Sequence, residues 1–379
     1  MRRWNGILAA GAALVLAGCA VSPSSEGSFN QSGAVTGAEA LFPVARRSDE
    51  LHRNNGSTGQ MMGVGVCPRE RDLTDWQPLL NPSLNAFPPS PKPEYTRAPR
   101  DFGRAFNTSA YRVLLTQDMG RARADIDALR AHAERNSWVP PVQSNAAASA
   151  VIEGLGSVLP AWQILRQTAV ATAEDRALID GWLQRASEYT DTHPGENNGG
   201  TFRGANDMLW GAMSGDRARF QKGIDQGFMR QLRDMRPDGS FPLETDRGVK
   251  ALENSSRNVA LMVYSAEIGL SQGVDLYATE VDGKSLHDAV SFLVRAADDN
   301  ALVDVYAKGD RNPSPGTPPF RPNAQVSPYG NPSRGWVKLY TDRFPGTELS
   351  EALLARIELP SRITADTVGG TVTCYAGDV

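Results

Sequence analysis

Asn197, Asn198, Arg247, Lys250, Arg257 and Tyr264 gather amides, cations and a phenol in one stretch of the chain. Amides and cations recognise carboxylates. Beside a uronic acid carboxylate, they can also hold the charge that develops when the neighbouring carbon loses its proton, as preorganised donors do. A phenol among cations can take and return that proton, because nearby positive charge lowers its pKa. Tyr264 follows Arg257 by two helical turns, so both project from one face. Arg203, just past the asparagine pair, extends the cationic patch. The same residues have ordinary uses as well: Asn198 as a helix cap, Tyr264 as a core side chain, and the cations as surface partners of Glu244 and Asp246. Tyr329 and Tyr340 are alternative phenols, and His193 lies near the asparagine pair in the chain.

Helical patterning has to position these groups. Ala146 to Gln167 is mostly apolar and reads as a buried helix bent at Pro160. Arg112 to Asn136 reads as one long helix or two short ones. Thr172 with Asp175 makes a capping box ahead of Leu178, Ile179, Trp182, Leu183 and Ala186. Phe220, Ile224, Phe228 and Leu232 step by four. Ala251 to Leu270 and Leu286 to Ala297 complete the set, the latter capped by Ser285 with Asp288. Strand-like alternation is confined to a weak Thr371-Val372-Thr373. Antiparallel helix pairs joined by short turns predict an all-α chain built as a bundle, solenoid or toroid. Lys308 to Arg334, rich in Pro, Gly and Asn, reads as a functional loop.

A formal net charge of -4 provides no global field to draw the protein towards nucleic acid, so an anionic partner needs a local basic patch. Arg2 and Arg3 precede a short apolar run, Ile7 to Ala17, that ends in Leu16-Ala17-Gly18-Cys19. This pattern looks like a lipobox. Residues 1–18 are therefore expected to be a lipoprotein signal peptide, Cys19 the lipidated membrane anchor, and 19–40 a flexible tether. Ala20 and Val21 favour the periplasmic side of the outer membrane. Residues 41–102, with prolines at 82, 88, 89, 91, 93 and 99, are expected to form an irregular wrap ahead of a helical domain at 103–379. Cys67 and Cys374 remain, in a compartment that permits disulfides, and are expected to pair.

Several chemistries find no support. His52, His132, His193 and His287 do not cluster, so neither a metal nor another cofactor is expected. Gly63-Val64-Gly65 lacks the third glycine of a dinucleotide loop, and Gly211-Ala212-Met213-Ser214-Gly215 misplaces the serine of a nucleophile elbow. Paired carboxylates chosen from Asp207, Asp238, Glu244 and Glu253 leave glycoside hydrolysis open.

Four blocks in order resemble the alginate lyase family of polysaccharide lyases. They are Asn197-Asn198-Gly199; Asp238-Gly239-Ser240-Phe241-Pro242-Leu243-Glu244; Arg247 with Lys250-Ala251-Leu252; and Arg257-Asn258-Val259-Ala260-Leu261. Trp336 to Pro345 resembles the family's C-terminal pattern. The resemblance implies an (α/α) toroid, an acidic polysaccharide as partner, and metal-independent β-elimination. It implies that Asn198 neutralises the substrate carboxylate. Tyr264 with Arg257 is read from their spacing as a catalytic pair that replaces the family tyrosine, and Asn197, Arg203, Arg247, Lys250, Tyr329 and Tyr340 are read as substrate-binding. The chain departs from the family where a histidine falls on Gly199, an arginine on Lys250 and a tyrosine on Val259. Those departures motivate one alternative, a catalytically silent polysaccharide-binding relative; the candidate carboxylates motivate a second, an inverting hydrolase on the same toroid.

Overall fold

Apolar residues recurring at three- and four-residue intervals make helices throughout, and the computed structural model describes residues 39–56, 65–69, 72, 93–139, 144–192, 195–311, 313 and 316–376. In chain order the helices are α1 (Val44–Gly56), α2 (Pro93–Thr116), α3 (Met119–Glu134), α4 (Asn145–Leu165), α5 (Ala173–Thr190), α6 (Asn198–Ser214) and α7 (Arg217–Gly223). A π turn, Ile224–Met229, leads into α8 (Arg230–Asp234). There follow α9 (Pro242–Thr245), the 3-10 turn Gly248–Lys250, α10 (Ala251–Ser271), α11 (Leu286–Asp298), α12 (Ala301–Ala307), α13 (Ser333–Arg343), α14 (Glu348–Leu354) and α15 (Val372–Tyr375).

The helices form two layers. α2, α4, α6, α10 and α13 pack in succession as the inner layer. α3, α5, α7, α11 and α14 return against them outside, giving the antiparallel pairs of an incomplete (α/α) toroid. Inner helices need apolar residues on most sides. α4 meets that demand so fully that by length and composition it could cross a membrane, yet it lies buried as a core helix. α6 and the π turn approach so closely that a Cβ at Gly204 would lie 2.5 Å from the Cα of Gly227.

Local signals match the helix starts. Thr172 with Asp175 and Ser285 with Asp288 both form capping boxes. The 112–136 segment is two helices, parted at Gln117 (φ 54°) and restarted by the Asp118 cap. Cys67 and Cys374 are disulfide-bonded, with Cα atoms 4.6 Å apart.

Two expectations need correction. The 41–102 stretch is not irregular throughout, because α1 and the start of α2 lie within it. Leu51 of α1 is fully buried, Arg47 donates to the Cys374 carbonyl at 2.8 Å, and Pro93 begins α2, where a missing N–H costs nothing. The helical part therefore begins upstream of residue 103. Thr371-Val372-Thr373 is not a strand either: only Gly370–Thr371 (β2) pairs, antiparallel with Thr364–Ala365 (β1), and Val372 starts α15. The signal peptide, Cys19 and most of the tether lie outside the described residues.

Candidate functional site

A cavity of about 610 Å³ opens where the inner helices end and α10 begins. All five inner helices reach it. α2 supplies Arg100 and Arg104, four residues apart and so on one face. α4 supplies Glu153 and α6 supplies Phe202. Lys250, from the 3-10 turn, is followed on α10 by Glu253, Asn254, Ser256 and Arg257, while α13 supplies Ser333 and Trp336. The 326–332 end of the long loop and Thr364–Thr367 form the remaining walls. Val326 N–H donates to the Val249 carbonyl at 2.7 Å, which ties that loop to the turn carrying Lys250. Phe202 packs with Ile152 and Leu261 as an apolar base.

Charge in the cavity is arranged in pairs. Glu153 takes Arg100 Nε on one oxygen at 2.7 Å and Arg257 Nη2 on the other at 3.1 Å, joining α2, α4 and α10. Arg104 Nε donates to Asp366 Oδ2 at 2.8 Å. Lys250 Nζ lies 3.5 Å from Glu253 Oε2. Arg257 is 41% and Glu153 19% exposed at the side chain, so this network borders solvent.

Beyond it lies a buried corner built around the asparagine pair. Asn197 is the N-cap of α6, and its side chain accepts the Gly199 N–H at 3.0 Å. Asn198 begins the helix. Its backbone N–H donates to Glu244 Oε1 at 2.6 Å and its Nδ2 donates to Oε2 at 2.7 Å. The carboxylate thus sits at the positive end of the helix. Arg247 Nε lies 3.9 Å from Glu244 Oε2. Burial pushes the Glu244 carboxyl up, while Arg247 and the Asn198 donors pull it back. A Cβ at Gly200 would lie 1.9 Å from the Gly195 carbonyl oxygen, so this tight entry requires glycine. One turn into α6, Thr201 Oγ1 donates to Asn258 Oδ1 at 2.6 Å, and Asn258 Nδ2 passes the chain on to Gln231 at 2.9 Å.

Of the residues singled out from sequence, Lys250 and Arg257 line the cavity. Tyr264 does not, which corrects its pairing with Arg257. Two helical turns preserve the face but carry the phenol about 10 Å along the axis, into the core. There Tyr264 is 0% exposed, lies against Gly369, has no hydrogen-bond partner for its hydroxyl among the described residues, and is pushed well above the usual phenol range by burial. Tyr340 is also buried, its hydroxyl 2.6 Å from His287 Nδ1. Tyr329 is not among the lining residues, although Pro328 and Gly330 on either side are. Asn197 is a cap. Arg203, 6% exposed, supports the 195 turn and donates to Gln226 at 3.1 Å, and Arg247 serves the Glu244 corner. His193 lies outside the described residues.

Sequence reading missed Arg100, Arg104, Glu153 and Asp366. Glu153 had a usable signal, as the one charged residue in α4. Arg100 and Arg104 had the helical spacing of an arginine pair, hidden by the prolines around them. No tyrosine or histidine occurs among the described residues of the lining, and Val259 is fully buried.

Fold and site define the class: an incomplete (α/α) toroid of antiparallel helix pairs with a charged cavity at the ends of its inner helices. The alginate lyase family profile matches residues 100–302, more than half of the chain, and the chain belongs to that family. A "Polysaccharide lyase" of Stenotrophomonas maltophilia (strain K279a) is 29% identical over 201 residues, 49% of this chain and 52% of the relative. The chain therefore matches about half the length of that curated relative. Among solved structures, alginate lyase A1-III complexed with a tetrasaccharide superposes with a TM-score of 0.74 at 20% identity, covering 93% of this chain and 99% of the other. Alginate lyase A1-III from Sphingomonas species A1 superposes with a TM-score of 0.72 at 19% identity, covering 93% and 100%. At such identities the likeness concerns the fold.

Proposed function

We propose that the protein is a polysaccharide lyase that cleaves a uronate-containing polysaccharide by β-elimination without a metal ion. The observation that carries this reading is the meeting of Arg257, Lys250 and Arg100 in one cavity of an alginate-lyase-family toroid. Elimination removes the C5 proton and breaks the C4–O bond, leaving a C4=C5 double bond in one fragment and a hydroxyl on the other. The C5 proton becomes acidic only when the charge spreading onto the C6 carboxylate is held. Cations in a partly desolvated cavity supply that holding, so Arg257 and Arg100 are assigned to it. The Lys250–Glu253 pair, 3.5 Å apart on the same wall, is assigned to proton transfer. Asn198, held by Glu244 outside the lining, is assigned to fix the start of α6, which carries Phe202 to the cavity.

The test is incubation with polymannuronate, alginate and polyglucuronate, following the ultraviolet absorbance of the unsaturated uronate. A rise supports the lyase. New reducing ends without absorbance would point to hydrolysis by the cavity's carboxylates. A second reading, a catalytically silent polysaccharide-binding relative, is favoured by the lack of phenol and imidazole in the described lining together with Gly199 and Val259. Binding with neither product would establish it.

For location, we propose an outer-membrane lipoprotein facing the periplasm, on the strength of Leu16-Ala17-Gly18-Cys19. Acylation of the mature N-terminus, seen by mass spectrometry and lost in Cys19→Ala, is the expected result.

A further inference from the structure

We propose that this cavity selects charge-dilute polysaccharides, in which uronates are interspersed with uncharged sugars, over polyuronates charged at every residue; this rests on the polysaccharide-binding part of the function proposed above. Each cation of the lining already has a resident carboxylate. Both Glu153 oxygens are engaged, one by Arg100 and the other by Arg257. Asp366 holds Arg104, and Glu253 faces Lys250. The lining thus alternates in sign and is not a cationic strip.

A fully charged polymer would bring a carboxylate against Glu153, Asp366 or Glu253 at almost every sugar. Like charges at such distances repel, most strongly where a group is partly desolvated, and Glu153 is the least exposed of the three, 19% against 27% for Asp366 and 49% for Glu253. An uncharged sugar placed there has the opposite effect, because its hydroxyls donate to those same carboxylates in charge-assisted hydrogen bonds. One uronate carboxylate can still be held, since Arg257 gives a single arm to Glu153 and stays 41% exposed, with Lys250 on the same wall. The result is one ionic subsite flanked by subsites suited to neutral sugars. The chain's net charge of -4 agrees, as no long-range field favours a polyanion.

Polyglucuronate, compared with the same polymer after chemical reduction of about half of its carboxyl groups to alcohols, varies charge density while leaving the linkage unchanged. Binding of both is measured by calorimetry at fixed ionic strength, and unsaturated product is followed in parallel. The wild-type protein is expected to bind the half-reduced polymer about threefold or more tightly, the scale of partly exposed charge interactions. Glu153→Gln and Asp366→Asn are expected to shift preference back towards the fully charged polymer. Glu153→Gln keeps the hydrogen-bonding shape, and its folding is checked by thermal melting. If it does not fold, Asp366→Asn, on the more exposed pair, carries the test. Tighter binding of the fully charged polymer by the wild type, binding of neither polymer, or an unchanged preference in folded variants would each overturn the proposal. The expected order of binding with no unsaturated product from either polymer would uphold charge selection while removing the lyase assignment.

Discussion

The Asn198–Glu244 corner and the Arg100–Glu153–Arg257 network are both carboxylates held by donors from separate helices, yet they differ in burial. Glu244 is 1% exposed and receives two short hydrogen bonds from the start of α6. Glu153 borders solvent and receives two bonds from Arg100 on one oxygen and one from Arg257 on the other, both arginines being about two-fifths exposed. A buried, satisfied carboxylate acts chiefly on structure, because its partners have no water to turn to. A partly exposed one can exchange partners with a ligand. The first corner is therefore assigned to positioning and, under the proposed function, the second to recognition.

Glu244→Ala is the most severe way to test that division. It strips the start of α6 of its acceptor and leaves Arg247 without its buried counter-charge, and breaking buried pairs costs about 3 to 5 kcal/mol. Chemical denaturation should show a loss on that scale, with Glu244→Gln losing less because the amide oxygen still accepts one bond. A loss below about 1 kcal/mol for the alanine variant would mean that the corner behaves like a surface pair. Lys250→Arg comes next. It keeps the charge and removes the group assigned to proton transfer, so kcat on a polyuronate should fall about 10²-fold or more while the melting temperature stays unchanged. Retained kcat would move proton transfer to another residue.

The division also marks how far residue types alone could carry. Capping boxes at Thr172–Asp175 and Ser285–Asp288 were legible because they are local. The family blocks were legible because their order survives divergence. The lining was only half legible. Lys250 and Arg257 lie in a family block, but Glu153 and Asp366 are brought to them by packing between segments far apart in the chain, which residue spacing does not encode. Tyr264 shows a further limit: helical periodicity tells which face a side chain occupies and says nothing of its depth along the axis. Asn198 was open between helix cap and carboxylate clamp until the structure gave the cap to Asn197 and set Asn198 against Glu244.

Asp125 on α3 sharpens the comparison as a buried carboxylate with less support than Glu244. It is 0% exposed and accepts from Ser109 at 2.9 Å on one oxygen, while the other has no hydrogen-bond partner among the described residues. Burial pushes its carboxyl up to about 7. The folded value lies above the unfolded one, so the fold favours the protonated form. Its contribution to stability is full below about pH 4 and is lost as pH rises through about 7, a fall of about 2 to 3 kcal/mol between pH 5 and pH 8. Unfolding measured across that range should show the slope in the wild type and a flatter profile in Asp125→Asn. An unchanged slope in the variant would place its origin elsewhere.

Arg257→Ala should have little effect on stability. Its ion pair with Glu153 is 3.1 Å long and partly solvated, and Glu153 keeps Arg100 when Arg257 is gone. Pairs of this kind contribute at most about 1 kcal/mol to folding. The melting temperature should therefore barely move, while affinity for a uronate polymer should fall about tenfold and lose part of its salt dependence, because a charge-assisted contact to the ligand has been removed. Combining Arg257→Ala with Glu153→Gln closes a double-mutant cycle. Coupling between the two residues should be small in unfolding free energy and larger in ligand affinity, since in the bound state the arginine turns from one carboxylate to another. Should the coupling appear mainly in unfolding, the cavity network would be a structural brace like the Glu244 corner, and the distinction between a positioning carboxylate and a recognising one would fail.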